Sequence, residues 1–310
     1  MDLRSAFIKF LVLILSSTFT SSMPSRRFMP RLISKGSKDT NGRTVAELYQ
    51  CPQVDFHSRI KRMTGGSTIA PGDHPSFVFI TEKSTVNCGG ILIRSNMVVT
   101  AAHCFFDVNN EDECQEMKHR TIYAIRGTNK NDRSEITHVF RHSEFNVFAN
   151  NANLYSHDIA VALLRDPIDI SSQPICLQNG LIPAPSDICW GLGNGNLDNT
   201  KIQDAEPHVS KLEVGQCTKT GHRRQSYTNS RILCASKGPN EGDSGGPVIC
   251  SRSGQYYLAG IMAQAYTNTK QTIFTNMMND SLCAEWVLIK LNESVSALKS
   301  TCSQLQFGRK

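Results

Sequence analysis

The stretch Gly242-Asp243-Ser244-Gly245-Gly246-Pro247 constrains this chain more than any other. Every residue in it favours a turn, so by itself it marks a break between regular elements. A serine in so tight a glycine-rich turn has a second property. Backbone N–H groups on either side of its hydroxyl can hold an oxyanion while the hydroxyl attacks a carbonyl. An ordinary turn and a nucleophile loop remain open until the rest of the chain is weighed.

Two other stretches carry the partners that a nucleophilic serine needs. Phe77-Val78-Phe79-Ile80 reads as a short buried strand. Cys88–Ile93, the polar turn Arg94-Ser95-Asn96 and Met97–Thr100 read as a hairpin that delivers Ala101-Ala102-His103-Cys104 at a strand end. Further on, His157-Asp158 precedes the apolar run Ile159–Leu164. Asp158 lies 55 residues after His103 and 86 before Ser244. The order His, Asp, Ser differs from that of subtilisins and α/β-hydrolases.

These motifs closely resemble those of the trypsin/chymotrypsin-like serine proteases, over roughly residues 63–290. The resemblance implies an all-β fold of two antiparallel six-stranded β-barrels with the site in the cleft between them, and the turn-punctuated, strand-rich sequence is compatible with it. It also implies roles. Ser244 is the nucleophile, His103 the general base, and Asp158 fixes the imidazole tautomer; the N–H groups of Gly242 and Ser244 form the oxyanion hole. No cofactor is implied and no metal site is assigned. Asn129, Asp132 and Glu135 have no diagnostic metal spacing, and the acidic loop 109–116 reads as solvated. Ala284, Val287, Leu288, Leu291, Val295 and Leu298 recur at helical spacing, predicting a terminal helix over about 283–299 packed on the second barrel.

The net charge of +6 is a property of the front of the chain. Residues 23–62 hold nine Lys/Arg against three Asp/Glu, and residues 63–310 hold 22 against 23. A basic face for nucleic acid is therefore not expected on the main domain. Met1–Ser22 reads as a secretory signal: Arg4 and Lys9 start it, Phe10–Leu15 is apolar, and Thr20-Ser21-Ser22 offers small residues for cleavage. That apolar run is shorter than the roughly 20 apolar residues of a membrane anchor. A secreted, extracellular protein follows, and eleven cysteines suit that oxidising compartment. Residues 23–62 read as a propeptide ending in the basic cluster Arg59-Ile60-Lys61-Arg62. Met63-Thr64-Gly65-Gly66 follows, where the family usually carries Ile-Val-Gly-Gly. The resemblance implies a zymogen whose cleavage after Arg62, by an activating protease, frees the Met63 amino group to pair with Asp243.

The resemblance also implies disulfides Cys88–Cys104, Cys51–Cys176, Cys189–Cys250 and Cys217–Cys234. Cys114, Cys283 and Cys302 remain, with Cys283–Cys302 as the trial pair and Cys114 unassigned. An odd count leaves at least one thiol free or joined to another chain.

Specificity is where the sequence departs from the common pattern. Gly238 stands at the pocket floor, where trypsin-like members carry Asp, so cleavage after Lys or Arg is disfavoured. Neither Asn240 nor any residue between Cys250 and Cys283 supplies the cysteines that usually brace this pocket. Ala263-Gln264-Ala265 replaces Ser-Trp-Gly, and Ala265 and Thr272 stand where deep-pocket members have glycines. With Glu241 on the same flank as Gly238, the pocket suits small or medium apolar P1 residues. Asn279-Asp280-Ser281 and Asn292-Glu293-Ser294 fit the N-glycosylation pattern.

Two functions follow from different classes. One is a secreted serine endopeptidase whose partners are protein or peptide substrates, an activating protease and an inhibitor. The alternative is a catalytically weak protease-like binding or regulatory protein. All three triad motifs and the oxyanion loop favour the enzyme.

Overall fold

The apolar run Met97–Val99 is buried at every position, which alternation along a one-sided strand would not give. The fold supplies the reason. A computed structural model describes residues 67–68, 76–106, 112–126, 131–145, 157–169, 175, 177, 183–193, 207–215, 232–236, 243–266, 271–276, 286–287, 290–291 and 293–307.

The first sheet contains β2 (Phe77–Glu82), β3 (Thr85–Arg94), β4 (Met97–Thr100), β5 (Cys114–Glu116), β6 (Ile122–Arg126), β7 (Arg133–Arg141) and β8 (Ala160–Leu164). Its order is β5-β7-β6-β2-β3-β4-β8, and β7 also pairs with β8. That last pairing closes six antiparallel strands into a barrel, with β5 added on the outside of β7. The second sheet contains β1 (Ser67–Thr68), β9 (Ile188–Gly193), β10 (His208–Gly215), β11 (Ile232–Ser236), β12 (Pro247–Arg252), β13 (Gln255–Tyr266) and β14 (Gln271–Asn276). Here β9 pairs with both β10 and β12, closing a second six-stranded barrel, and β1 adds to β10.

Both faces of the first barrel's strands are apolar because both are covered. Val78, Ile80, Leu92, Val98, Ala124 and Ala162 form one buried cluster. Their neighbours Phe77, Phe79, Ile91, Val99, Val161 and Leu163 join another, continuous with Leu192, Val209 and Ile261 of the second barrel. Successive strand residues point to opposite faces, so each run feeds both clusters.

The chain end differs from the sequence expectation in three ways. Residues 286–287 and 290–291 are helical, but residue 293 bends and a new helix, α1, runs Val295–Phe307. The side chain of Ser294 starts it, its Oγ accepting the Ala297 N–H at 3.1 Å as a helix N-cap does. The expected span 283–299 is therefore interrupted at residue 293, and its second helix runs past 299 to Phe307. That helix is also fastened to the first barrel, because Cys302 is disulfide-bonded to Cys114 of β5. That bond overturns the Cys283–Cys302 pairing and gives Cys114 its partner. It also shows why the acidic loop is only partly a loop: Cys114–Glu116 pairs with β7, and Cys114 is 1% exposed. Lys290 Nζ over the Phe140 ring adds a further contact with the first barrel.

Candidate active site

Strand β4 ends at Thr100, and the chain passes through two fully buried alanines into a single 3-10 turn, Ala102–Cys104. Nothing larger than a methyl fits at Ala101 and Ala102 without displacing the core. The turn directs His103 outward, leaving 29% of its side chain exposed, while Asp158 behind it is fully buried. Asp158 Oδ1 accepts the His103 backbone N–H at 2.9 Å, and Oδ2 lies 2.6 Å from Nδ1. A buried carboxylate keeps its charge only when bonded, and here both oxygens are committed to one residue. Burial alone would push the His103 imidazole down, but the charge and hydrogen bond of Asp158 outweigh it and hold its pKa above the ordinary histidine value. The bond at Nδ1 leaves Nε2 as the proton-accepting nitrogen of the neutral ring.

The serine loop is fixed from both barrels. Gly245 N–H donates to Met262 O at 2.8 Å, Gly246 N–H to Asp243 O at 3.0 Å, and Met262 N–H to Gly246 O at 2.9 Å. Gly245 has φ +79°, and a Cβ there would lie 2.3 Å from Thr100 Oγ1, so only glycine fits. Across the cleft, Gly89 N–H donates to the carbonyl of Ser244 at 2.7 Å. Gly89 is itself held by Thr100 Oγ1, which donates to its carbonyl at 2.8 Å. The neighbouring Cys88 is disulfide-bonded to Cys104, next to His103. Residues 88–89 thus anchor both the histidine turn and the serine loop, and Ser244 itself is half-buried.

Asp243 is buried, and its carboxylate lies against the backbone of Gly193: a Cβ on that glycine would fall 2.0 Å from Oδ1. The second glycine of Gly191-Leu192-Gly193 therefore makes room for the aspartate of the serine loop. Nothing in the sequence connects the two.

Cys189 and Cys250 stand opposite each other on β9 and β12 and are joined. Cys234 is disulfide-bonded; its implied partner Cys217 lies outside the described residues, as do Cys51 and Cys176. Arg62, Met63, Gly238, Glu241, Gly242, Asn279 and Asn292 also lie outside them. Ala263 is a buried residue of β13 at a shift in register with β14, and the register beyond it pairs Ala265 with Thr272. The two positions inferred to fill the pocket are thus direct neighbours across two strands.

Cys88, His103 and Cys104 place their potential ligand atoms within 4.8 Å of one another, but the disulfide leaves no thiolate for a metal. Asp132 and Glu135 are engaged by Arg126 and Arg165. Two residues to which the sequence assigns no role, Thr275 and His157, both touch the Asp158 segment. Thr275 Oγ1 donates to Asp158 O at 3.1 Å.

A carboxylate–imidazole couple and a serine loop, held by two closed antiparallel barrels, are the arrangement of the chymotrypsin-like fold. A family model described as Trypsin matches residues 63–286, and the chain belongs to that family of serine proteases. Spermosin of Halocynthia roretzi is 28% identical over 243 residues, which is 71% of this chain and 61% of that protein. Chymotrypsin-like elastase family member 1 of Bos taurus is 26% identical over 259 residues, 76% of this chain and 92% of that protein.

Proposed function

We propose that this chain is a secreted serine endopeptidase made as a zymogen, with a signal peptide at 1–22, a propeptide at 23–62 and the protease domain at 63–310. The single observation that carries the proposal is the His103–Asp158 couple: a fully buried carboxylate with both oxygens committed to one partly exposed histidine. His103 Nε2 takes the proton of Ser244 as Oγ attacks the scissile carbonyl. The oxyanion accepts from the N–H groups of Gly242 and Ser244, His103 returns the proton to the leaving amine, and water hydrolyses the acyl-enzyme by the same relay. Only side chains, backbone and water take part.

Activation is cleavage after Arg62 by a protease that recognises basic residues. The freed Met63 ammonium pairs with Asp243, and a buried ion pair of this kind is strongly favoured over either charge alone. The pocket takes small or medium apolar P1 residues: Gly238 supplies no carboxylate, and Ala265 and Thr272 are adjacent in register. Glu241, Ala263 and Gln264 flank it. The word elastase in the name of the bovine relative agrees with that direction. Protein substrates, an activating protease and a protease inhibitor are the partners, and Asn279 and Asn292 carry the glycans.

The test is to cut the purified chain after Arg62 and expose it to a fluorophosphonate. Labelling at Ser244, lost in Ser244→Ala, supports the enzyme. Absence of labelling in a folded, cut chain would favour a protease-like binding protein, consistent with Ala263-Gln264-Ala265 and the missing pocket cysteines. A peptide library on the same sample reads P1, and preference for Arg or Lys would overturn the pocket assignment.

A further inference from the structure

The turn that delivers Asp158 is built around an unusual residue. His157 has φ +66°, a left-handed conformation that few non-glycine residues adopt, histidine being among the more frequent of them. Its side chain is 2% exposed. The ring stacks on His142, with centroids 4.5 Å apart and planes 16° apart, and its Nε2 lies 3.5 Å from Glu144 Oε2. Trp286 leans on His142 at 5.5 Å. The Glu144 backbone N–H donates to His142 Nδ1 at 3.1 Å, so neutral His142 carries its proton on Nε2 and its ring orientation is fixed.

Asp158 needs such support. Its carboxylate bonds only His103 among the described residues, so its aim depends on the backbone that carries it and on packing. That backbone is tight: Ile159 N–H donates to His157 O at 2.7 Å, spanning Asp158 in a three-residue turn. His142 N–H donates to Ile159 O at 3.1 Å on one side, and Thr275 Oγ1 to Asp158 O at 3.1 Å on the other. The ionisable groups around the turn are His103, His142, Glu144 and Arg141, which donates to Phe145 O at 2.9 Å.

We infer that His157 is a positioning residue for Asp158: packed on His142 and facing Glu144, it supplies a side chain that tolerates the left-handed backbone, and that backbone aims the buried carboxylate at His103. The inference rests on the serine-endopeptidase proposal for its kinetic consequence, though not for its structural one.

Two variants of the cut chain test it, His157→Ala and His157→Asn, since asparagine tolerates the left-handed backbone where alanine does not. His157→Ala is expected to lower kcat by about 10²-fold at unchanged KM, the size of effect a small misplacement produces. It also moves the acid limb of kcat/KM to lower pH, as His103 loses its carboxylate. His157→Asn recovers most of kcat and returns the acid limb. Unchanged kcat and acid limb in His157→Ala, or an Asn variant no better than Ala, would overturn it. NMR titration of His103 in a Ser244→Ala background reads the same pKa without turnover. A chain that fails to label with fluorophosphonate therefore removes the function, while a His103 pKa unmoved by His157→Ala removes this inference alone.

Discussion

The hydroxyl of Thr275 donates a hydrogen bond to the carbonyl of Asp158 at 3.1 Å, with both residues fully buried. Thr275 belongs to the second barrel and Asp158 leads into the first. The reciprocal bond runs from Gly89 of the first barrel to Ser244 of the second. Each barrel therefore fixes the other's contribution to the site, and a relative shift of the barrels would misplace histidine, aspartate and serine together.

Thr275→Val keeps the shape and removes the donor, leaving a buried carbonyl short of a partner. The expected cost is about 1–3 kcal/mol of stability. Thermal unfolding of Thr275→Val against Thr275→Ser isolates the hydroxyl, and kcat is expected to fall in Val only.

Activity should collapse at acid pH with a midpoint above the ordinary histidine value of about 6.5, because Asp158 raises the His103 pKa. Catalysis needs the neutral imidazole, so rate rises through that value. Stability runs the other way: the couple's contribution is full below the unfolded pKa and is lost as pH rises through the folded one. Asp158→Asn should move the acid limb of the pH–rate profile downward. It should also lower kcat by about 10⁴-fold, because an amide at this position favours the wrong imidazole tautomer and cannot stabilise the imidazolium.

The Cys114–Cys302 disulfide closes a separation of 188 residues and ties α1 to β5. Cys114→Ser with Cys302→Ser should lower stability by about 2–4 kcal/mol. Peptide mapping of the unreduced protein should recover the Cys114 and Cys302 peptides as one species; a Cys283–Cys302 species would contradict the structure.

Asp187 has a side chain 1% exposed and is bonded by Arg252 at 2.6 Å, by Tyr257 OH at 2.7 Å and by Ala184 N–H at 2.8 Å. Burial raises its pKa, but these donors outweigh it and hold the carboxyl below its usual value. Its contribution to stability is present above the unfolded carboxyl value of about 3.9 and is lost as pH falls through the lower folded value. Arg252→Met should therefore unfold at lower temperature at pH 7, with the difference from the parent shrinking in acid. A difference that stays constant as the pH falls through the carboxyl range would show that the ion pair is not the cause.

The His103, Asp158 and Ser244 motifs were legible in the sequence because each is a short local pattern of functional residues set in distinctive neighbours, and the barrels were implied by the family those motifs resemble. The Gly193 contact with Asp243 was not legible, since the two residues are 50 positions apart and meet only when β9 lies under the serine loop. His157 gave no signal, because a histidine's backbone conformation and stacking partner are not written in its neighbours. The chain end misled for the same reason. Helical spacing continues through residues 284–298, but it cannot show that Ser294 recaps the helix.

The sequence alone determined which groups are available for chemistry, because residue type and local pattern set Ser244, His103 and Asp158 in three recognisable motifs. It gave Cys302 only the trial partner Cys283 and expected the terminal helix on the second barrel. Only the tertiary structure decided those, joining Cys302 to Cys114 and turning Thr275 and His157 toward Asp158. The physical reason is that covalent pairing and hydrogen bonding depend on distances of a few ångströms in space, and chain separation does not encode them.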